Sequence, residues 1–340
     1  MRILVLNGGS SSFKCRLDEI VGDPPSAPPA PLWQTRFDLK PGAIEPVLRA
    51  VPGHVDVAGH RIVHGGEFRQ STRITDEVRA EIARGAEEAP THNRFELDAI
   101  DCVAKIFPGV PQIAVFDAAF HSTLDPAAYV YPGPYDWLAQ GIRRFGFHGI
   151  SYQYASRRAG EILGRQARLV ICHLGNGASV AAVRDGKSVD TTMGFTPLEG
   201  LMMGTRSGSI DPGILIYLIR HRGYTAENLD EILNRQSGLL GISGVSSDMR
   251  EVIAAMNQGN ERAKLAFEIY AHRLCRAVGA MAAVMGGADA IVFTGGIGEN
   301  CAPLRDLVAR QLAFLSGRTL VIPAEEEWEI ARECFRIAKT

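Results

Sequence analysis

Residues 3–17 read ILVLNGGSSSFKCRL, and the way the chain leaves this Gly-Ser turn decides the fold. Arg2 to Leu6 is a short apolar run, the pattern of a buried strand, and Asn7-Gly8-Gly9-Ser10 ends it. Beyond the turn the sequence alternates: Phe13, Cys15 and Leu17 fall on one face, Ser12, Lys14 and Arg16 on the other. Period two predicts a second strand and hence a hairpin. P-loops and dinucleotide folds place a helix after their Gly-rich turn, so this turn is of another kind. The pattern returns at 169–184 as LVICHLGNGASVAAVR, again strand, turn and alternating strand. Two unrelated hairpins would explain that pair taken alone. A third unit, AIVFTGGIGEN at 290–300, ends an apolar strand in a Gly loop and enters a helix. Three such loops can converge on one phosphate chain in a cleft between duplicated domains.

Further apolar runs at 55–63, 112–116, 169–173 and 290–294 predict buried strands. Amphipathic spacing predicts helices over 76–88, 94–106, 151–163, 226–235 and 303–314. The segment 261–285, nearly apolar in its second half, predicts a helix buried between layers. Residues 22–31, GDPPSAPPAP, predict a Pro-rich loop. Strands alternating with helices make this an α/β protein, and 340 residues exceed one ordinary core, so two domains are expected.

A formal net charge of −2 gives no whole-molecule attraction for nucleic acid or an anionic membrane. An anionic substrate must then be held by locally placed Arg. The six cysteines are scattered without a CxxC pair, as reduced thiols of a cytoplasmic protein would be. The apolar run Ile3–Leu6 is too short for a signal peptide or a membrane span, so a soluble, cytoplasmic chain is expected.

Seven segments, in order and spread over most of the chain, carry a specific likeness: LVLNGGSSSFK (4–14), HRIVHGG (60–66), RRFGFHG (143–149), HLGNGAS (173–179), TPLEGLMMGTRSG (196–208), SSDMRE (246–251) and FTGGIGEN (293–300). Together they are similar to the motifs of the acetate kinase family, within the actin, hexokinase and Hsp70 superfamily. The resemblance implies an α/β fold of two duplicated ribonuclease-H-like domains with an active-site cleft between them. It implies an N-terminal domain of residues 1–121 rejoined by 328–340, and a nucleotide-binding and dimerisation domain of 122–327. The implied reaction is reversible, Mg-ATP-dependent phosphorylation of acetate or a similar short-chain carboxylate, giving an acyl phosphate.

Phosphoryl transfer asks a protein mainly for in-line positioning and charge neutralisation. The resemblance implies that Arg61 and Arg206 flank the acceptor carboxylate and the moving phosphoryl, where a planar guanidinium pairs two oxygens at any working pH. His148 is implied to steady the equatorial oxygens, and Asp117, at the end of the strand QIAVF, to position the substrate or its attacking group. Val63, Phe147 and Pro197 match the walls of the acyl pocket, with Thr91 as the fourth wall, and His92 is an implied substrate ligand. The nucleotide is implied to meet Ser10, Ser12 and Lys14, then His173, Asn176 and Gly177, then Asp248, Met249 and Arg250, then Gly295, Gly296, Ile297 and Asn300. A helix beginning near Asn300 is expected to direct its amides to the ligand. Asn7 and Glu326 are implied to serve Mg2+ or Mn2+, with ATP or ADP as co-substrate. A homodimer is implied, with no nucleic-acid or membrane partner. His64 and His121 read as structural.

Thr91 stands where the family usually has Leu, which shortens one wall and adds a hydroxyl; a preference broadened toward propionate or a small hydroxy acid is expected. Ser209 replaces the usual Asp, a local loop effect. The chain is also several tens of residues short for the family, around 38–55 and 315–319. Rival readings are a propionate or butyrate kinase of the same plan, and a non-catalytic ATP-binding switch.

Overall fold

The computed structural model describes residues 1–340 except Ser10, Ser11, Leu39, Pro41, Glu67, Ala89 and Ser316, with backbone only for the rest of 86–94. The described chain divides into two compact units: residues 1–122, 148–154 and 325–340, and residues 123–147 and 155–324.

The first unit is built on strands β1 (Arg2–Gly8), β2 (Ser12–Glu19), β3 (Trp33–Asp38), β4 (Val57–Ile62), β5 (Thr72–Arg73) and β6 (Gln112–Phe116), in the order β3-β2-β1-β4-β6-β5. β1 and β2 form the expected hairpin, Leu4 opposite Leu17. Its strand continues past Leu6, because Asn7 pairs with Lys14 and Gly8 with Phe13. β4 and β6 then add in parallel, Leu6 beside His60 and Ile62 beside Phe116. One face packs Leu4, Leu6, Phe13 and Leu17 with Ala99 and Val103 of the helix Pro90–Ile106. The C-terminal helix Glu326–Lys339 packs on β1, β4 and β6. It comes so near that a side chain on Gly59 of β4 would strike Cys334 and Ile330.

The second unit repeats the pattern. Strands β7 (Arg168–Leu174), β8 (Ala178–Arg184), β9 (Lys187–Thr191), β10 (Ala290–Thr294) and β11 (Arg318–Val321) lie in the order β11-β10-β7-β8-β9. β7-β8-β9 is an antiparallel meander, and β10 and β11 add in parallel. This is the same order and direction as β1-β2-β3 with β4 and β6, so the echo between residues 3–17 and 169–184 is a true structural duplication.

Two expectations are corrected. The helix Glu261–Val284 buries one face, including Phe267, Tyr270, Leu274 and Val278, while Leu265 and Val284 are half exposed. Its second half read as apolar all round because Ala and Gly fill the outer positions, and small residues do not demand burial. The Gly loop after β10 is itself a helix, Gly295–Asn300, and the helix expected near Asn300 follows it at Ala302–Gln311. Gly295 reaches φ +78, and a side chain there would meet the Leu174 backbone, so the glycine makes the tight exit from the strand possible.

Candidate functional site

In the first unit the parallel strands β1, β4 and β6 bring Asn7, Arg61 and Asp117 together at their carboxyl ends, where α/β sheets bind ligands. Arg61 Nη2 donates to Asp117 Oδ2 at 2.6 Å, and its Nη1 donates to Gly8 O at 2.9 Å and Asn7 Oδ1 at 3.3 Å. Burial opposes the Arg61 charge, but Asp117 and Glu326 outweigh it and hold the guanidinium above its ordinary pKa. Asp117 also shapes the next motif. Its Oδ2 accepts the His148 amide at 3.3 Å and its carbonyl accepts the Gly149 amide at 2.9 Å. His148 sits at φ +60, a region a residue with a side chain rarely occupies. Gly149 follows because a Cβ there would collide with the Asp117 carbonyl.

The C-terminal helix supplies acids to the same cluster. Asn7 Nδ2 donates to Glu326 Oε2 at 3.0 Å and Glu327 Oε1 at 2.7 Å, and Lys14 pairs with Glu327 at 3.0 Å. Lys14, expected on the nucleotide, is thus tied to a carboxylate. Ser12 opens β2 opposite Asp38 of β3, and Ser10 lies outside the described residues. Val63 is buried, while Thr91 and His92 begin the helix Pro90–Ile106 with side chains outside the described set. His64 is buried and accepts the Gly66 amide, and His121 packs on Phe120 and Tyr152.

Among the described residues no group of three or more His, Cys, Asp or Glu is arranged to hold a metal ion. Magnesium requires less, one or two carboxylates completed by phosphate oxygens and water. Asp117 Oδ1 is buried without a hydrogen-bond partner, and Asn7 links this neighbourhood to Glu326. That all-oxygen donor set fits a hard divalent cation.

In the second unit Asn176 and Gly177 form the β7-β8 turn, closed by Gly175 N to Gly177 O at 2.9 Å. Gly204 packs between Asn176 and the Ser247 carbonyl, joining this turn to the SSDMRE segment. Asp248 caps the helix Met249–Asn257 through the Arg250 amide at 2.8 Å. The Arg250 side chain, largely exposed, is paired with Asp248, and Met249 is buried in the core. His173 on β7 lies beside Thr294 of β10, just before Gly295. Gly296 is exposed with open space where a side chain would stand, Ile297 is half-buried, and Asn300 Nδ2 donates to Gly296 O at 2.9 Å.

Phe147 is buried. Arg206 Nη1 donates to the Pro197 carbonyl at 2.7 Å, and no carboxylate pairs with Arg206 among the described residues. Burial alone pulls its pKa down to about 10.

Sequence reasoning missed five residues: Glu96, Glu327, and the trio Tyr131, Arg144 and Glu199. Glu96 had a readable signal, because it shares a helix face with Ala99, Ile100 and Val103 at spacings of three, four and seven. Arg144 and Glu199 stand inside two of the quoted motifs, but nothing in the sequence joins them.

A model of the Acetokinase family matches residues 47–332. An acetate kinase of Cyanothece sp. is 46% identical across 100% of this chain and 99% of its own. That alignment spans 404 positions against 340 residues here, so the relative carries segments this chain lacks. Among solved structures, Porphyromonas gingivalis acetate kinase matches with TM-score 0.88 and 37% identity, covering 99% of both chains. A propionate kinase from Francisella tularensis matches with TM-score 0.89 and 36% identity, again over 99% of both.

Proposed function

This chain belongs to the acetokinase family, and on that premise we propose that it is an acetate kinase. It transfers the terminal phosphoryl of ATP directly to the carboxylate of acetate or a similar short acid, and makes ATP in reverse. The observation that most favours this chemistry is Arg206, a guanidinium without a carboxylate partner among the described residues. Such a group is ready for an anionic oxygen.

A carboxylate is already an anion, so the acceptor needs no general base. Asp117 accordingly serves to orient: it holds Arg61 and the His148 amide. Arg61, Arg206 and His148 neutralise the transferring group, and the acyl oxygen displaces ADP in line. Val63, Phe147, Pro197, Thr91 and His92 hold the acid. Ser10, Ser12, Lys14, His173, Asn176, Gly177, Asp248, Met249, Arg250, Gly295, Gly296, Ile297 and Asn300 serve the nucleotide. Asn7 and Glu326 would hold Mg2+ or Mn2+, which when bound offsets phosphate charge.

The acid preferred is a second question. The likeness to a propionate kinase and the hydroxyl of Thr91 both favour a range wider than acetate. Butyrate is the more distant alternative. One methylene is worth only about 1–3 kcal/mol in such a pocket, so the preference is graded.

The helix Pro212–Arg222 supports a homodimer through the second unit: it buries no residue, and Ile214, Ile216, Tyr217 and Ile219 are about half exposed. No helix among the described residues is long and apolar enough to cross a membrane. With ATP as substrate and six unpaired cysteines, five of them buried, a cytoplasmic setting fits.

Hydroxylamine trapping with Mg-ATP tests the reaction. The expected result is hydroxamate that requires both metal and acid, strongest with acetate or propionate. Nucleotide binding without hydroxamate from any of formate, acetate, propionate, butyrate, lactate or glycolate would favour the non-catalytic switch instead.

A further inference from the structure

Arg206 is held through a main-chain carbonyl, so its aim depends on whatever fixes the loop bearing Pro197. That loop is anchored by a cluster outside the residues assigned above. The Tyr131 hydroxyl donates to Glu199 Oε2 and accepts the Phe195 amide at 2.8 Å. Arg144 Nη2 donates to Glu199 Oε1 at 2.8 Å, while its Nη1 donates to the carbonyls of Thr191, Thr192 and Met193 at 3.0, 3.2 and 2.9 Å. The Arg144 guanidinium also lies 5.6 Å from the Tyr131 ring centre. Gly194 lets these groups close up, for a side chain there would strike both the Glu199 carboxylate and the Tyr131 hydroxyl. Its carbonyl in turn accepts the amides of Phe145 and Gly146 at 3.1 and 3.3 Å, the two residues before Phe147.

The cluster therefore ties two acyl-pocket segments to each other. From Glu199 the chain passes Gly200, which exchanges hydrogen bonds with Ser209 at 3.0 Å, and the turn closes with Met203 N to Arg206 O at 3.0 Å. Both ends of the Arg206 loop are thereby set. A loop staked at three points has few alternatives, and phosphoryl transfer loses steeply when a charge-bearing group drifts by an ångström.

We propose that Tyr131, Arg144 and Glu199 are positioning residues for the reaction, acting through Pro197 to set the aim of Arg206 and through Gly194 to set Phe147. This rests on the kinase reading, and on Arg206 acting in it. Burial and the Glu199 hydrogen bond both raise the Tyr131 pKa, so the phenol keeps its proton and remains a donor.

The test is a double-mutant cycle between Tyr131→Phe and Arg206→Ala, with Glu199→Gln as a second entry to the cluster. In the wild-type background Tyr131→Phe should lower kcat and raise the KM for the acid, together costing roughly 10-fold or more in kcat/KM. The nucleotide KM and the unfolding midpoint should stay near wild type. In the Arg206→Ala background the same change should cost less than about twofold in kcat, because the group it aims is gone, while the rise in acid KM that runs through Phe147 remains. Glu199→Gln, which can still accept from Tyr131, should fall between wild type and Tyr131→Phe. A full, additive loss of kcat in both backgrounds would overturn the proposal, as would unchanged kinetics in both single variants. Absence of hydroxamate from the wild type would instead count against the kinase reading itself.

Discussion

The backbone amide of Val63 donates to Glu96 Oε1 at 2.9 Å, and the other oxygen of that carboxyl is buried with no partner. Burial lifts the Glu96 pKa to about 8, opposed by the Val63 amide and Arg61 and assisted by Asp117. The carboxyl therefore holds its proton to a higher pH than a free carboxyl does. Between about 4.5 and 8 the folded chain keeps a proton that the unfolded chain releases, so this group makes stability fall as pH rises through that window. Glu96→Gln preserves an acceptor for Val63 and cannot titrate. Urea unfolding between pH 5 and 8 should show a shallower decline for Glu96→Gln than for wild type; identical slopes would absolve Glu96.

Arg206→Ala removes the guanidinium that has no carboxylate partner among the described residues. Turnover should fall at least ~10²-fold, as for loss of one transition-state donor, with nucleotide affinity largely kept. Because burial works against the Arg206 charge, its removal should not lower the unfolding midpoint. Unchanged turnover would take Arg206 out of the chemistry.

Asp117→Ala leaves Arg61, largely buried, without its 2.6 Å partner and the His148 turn without its side-chain acceptor. Breaking a buried pair from one side costs about 3–5 kcal/mol, which denaturant titration would register. Asp117→Asn, isosteric and uncharged, should lose less stability yet still lose turnover. Were the Asn variant fully active, the carboxylate charge would have no role in aiming Arg61.

The outward face of the helix Pro212–Arg222 predicts self-association. Ile216→Glu with Ile219→Glu should shift sedimentation from dimer to monomer without lowering the thermal midpoint by more than a few degrees, since neither side chain is buried within the chain. A monomeric wild type would withdraw the dimer.

The hairpins around Asn7 and Asn176 were legible because a half-turn period in side-chain direction leaves its mark on every second residue. The outer strands were not: β3, WQTRFD, alternates between half-buried and exposed positions, and β11 has four residues. The helix Gly295–Asn300 reads as a loop, since its three glycines lower helix propensity and only contact with β7 reveals why Gly295 and Gly298 are there. The helix Pro212–Arg222 shows the opposite limit, as its isoleucines suggest burial but not by which molecule. Arg61, Asp117 and His148 could be named from motifs. The Arg61–Asp117 hydrogen bond joins positions 56 residues apart and the His148–Asp117 bond positions 31 apart, neither readable from spacing; the Glu199–Arg144 pair, 55 residues apart, is of the same kind.

The helix Glu326–Lys339 packs on a sheet whose first strand, Arg2–Gly8, stands more than 300 residues before it in the sequence. Its Trp328, Ile330 and Cys334 are buried, so a nascent chain ending before Glu325 exposes the apolar sheet face they would cover. The second unit, interrupted only at residues 148–154, has no such wait. Asn7 finds its carboxylate partners Glu326 and Glu327 only across separations of 319 and 320 residues, so this contact forms late in the assembly of its unit. A cut before Glu325 would thus uncover an apolar sheet face and strip Asn7 of both carboxylates, rather than give a slightly shortened enzyme.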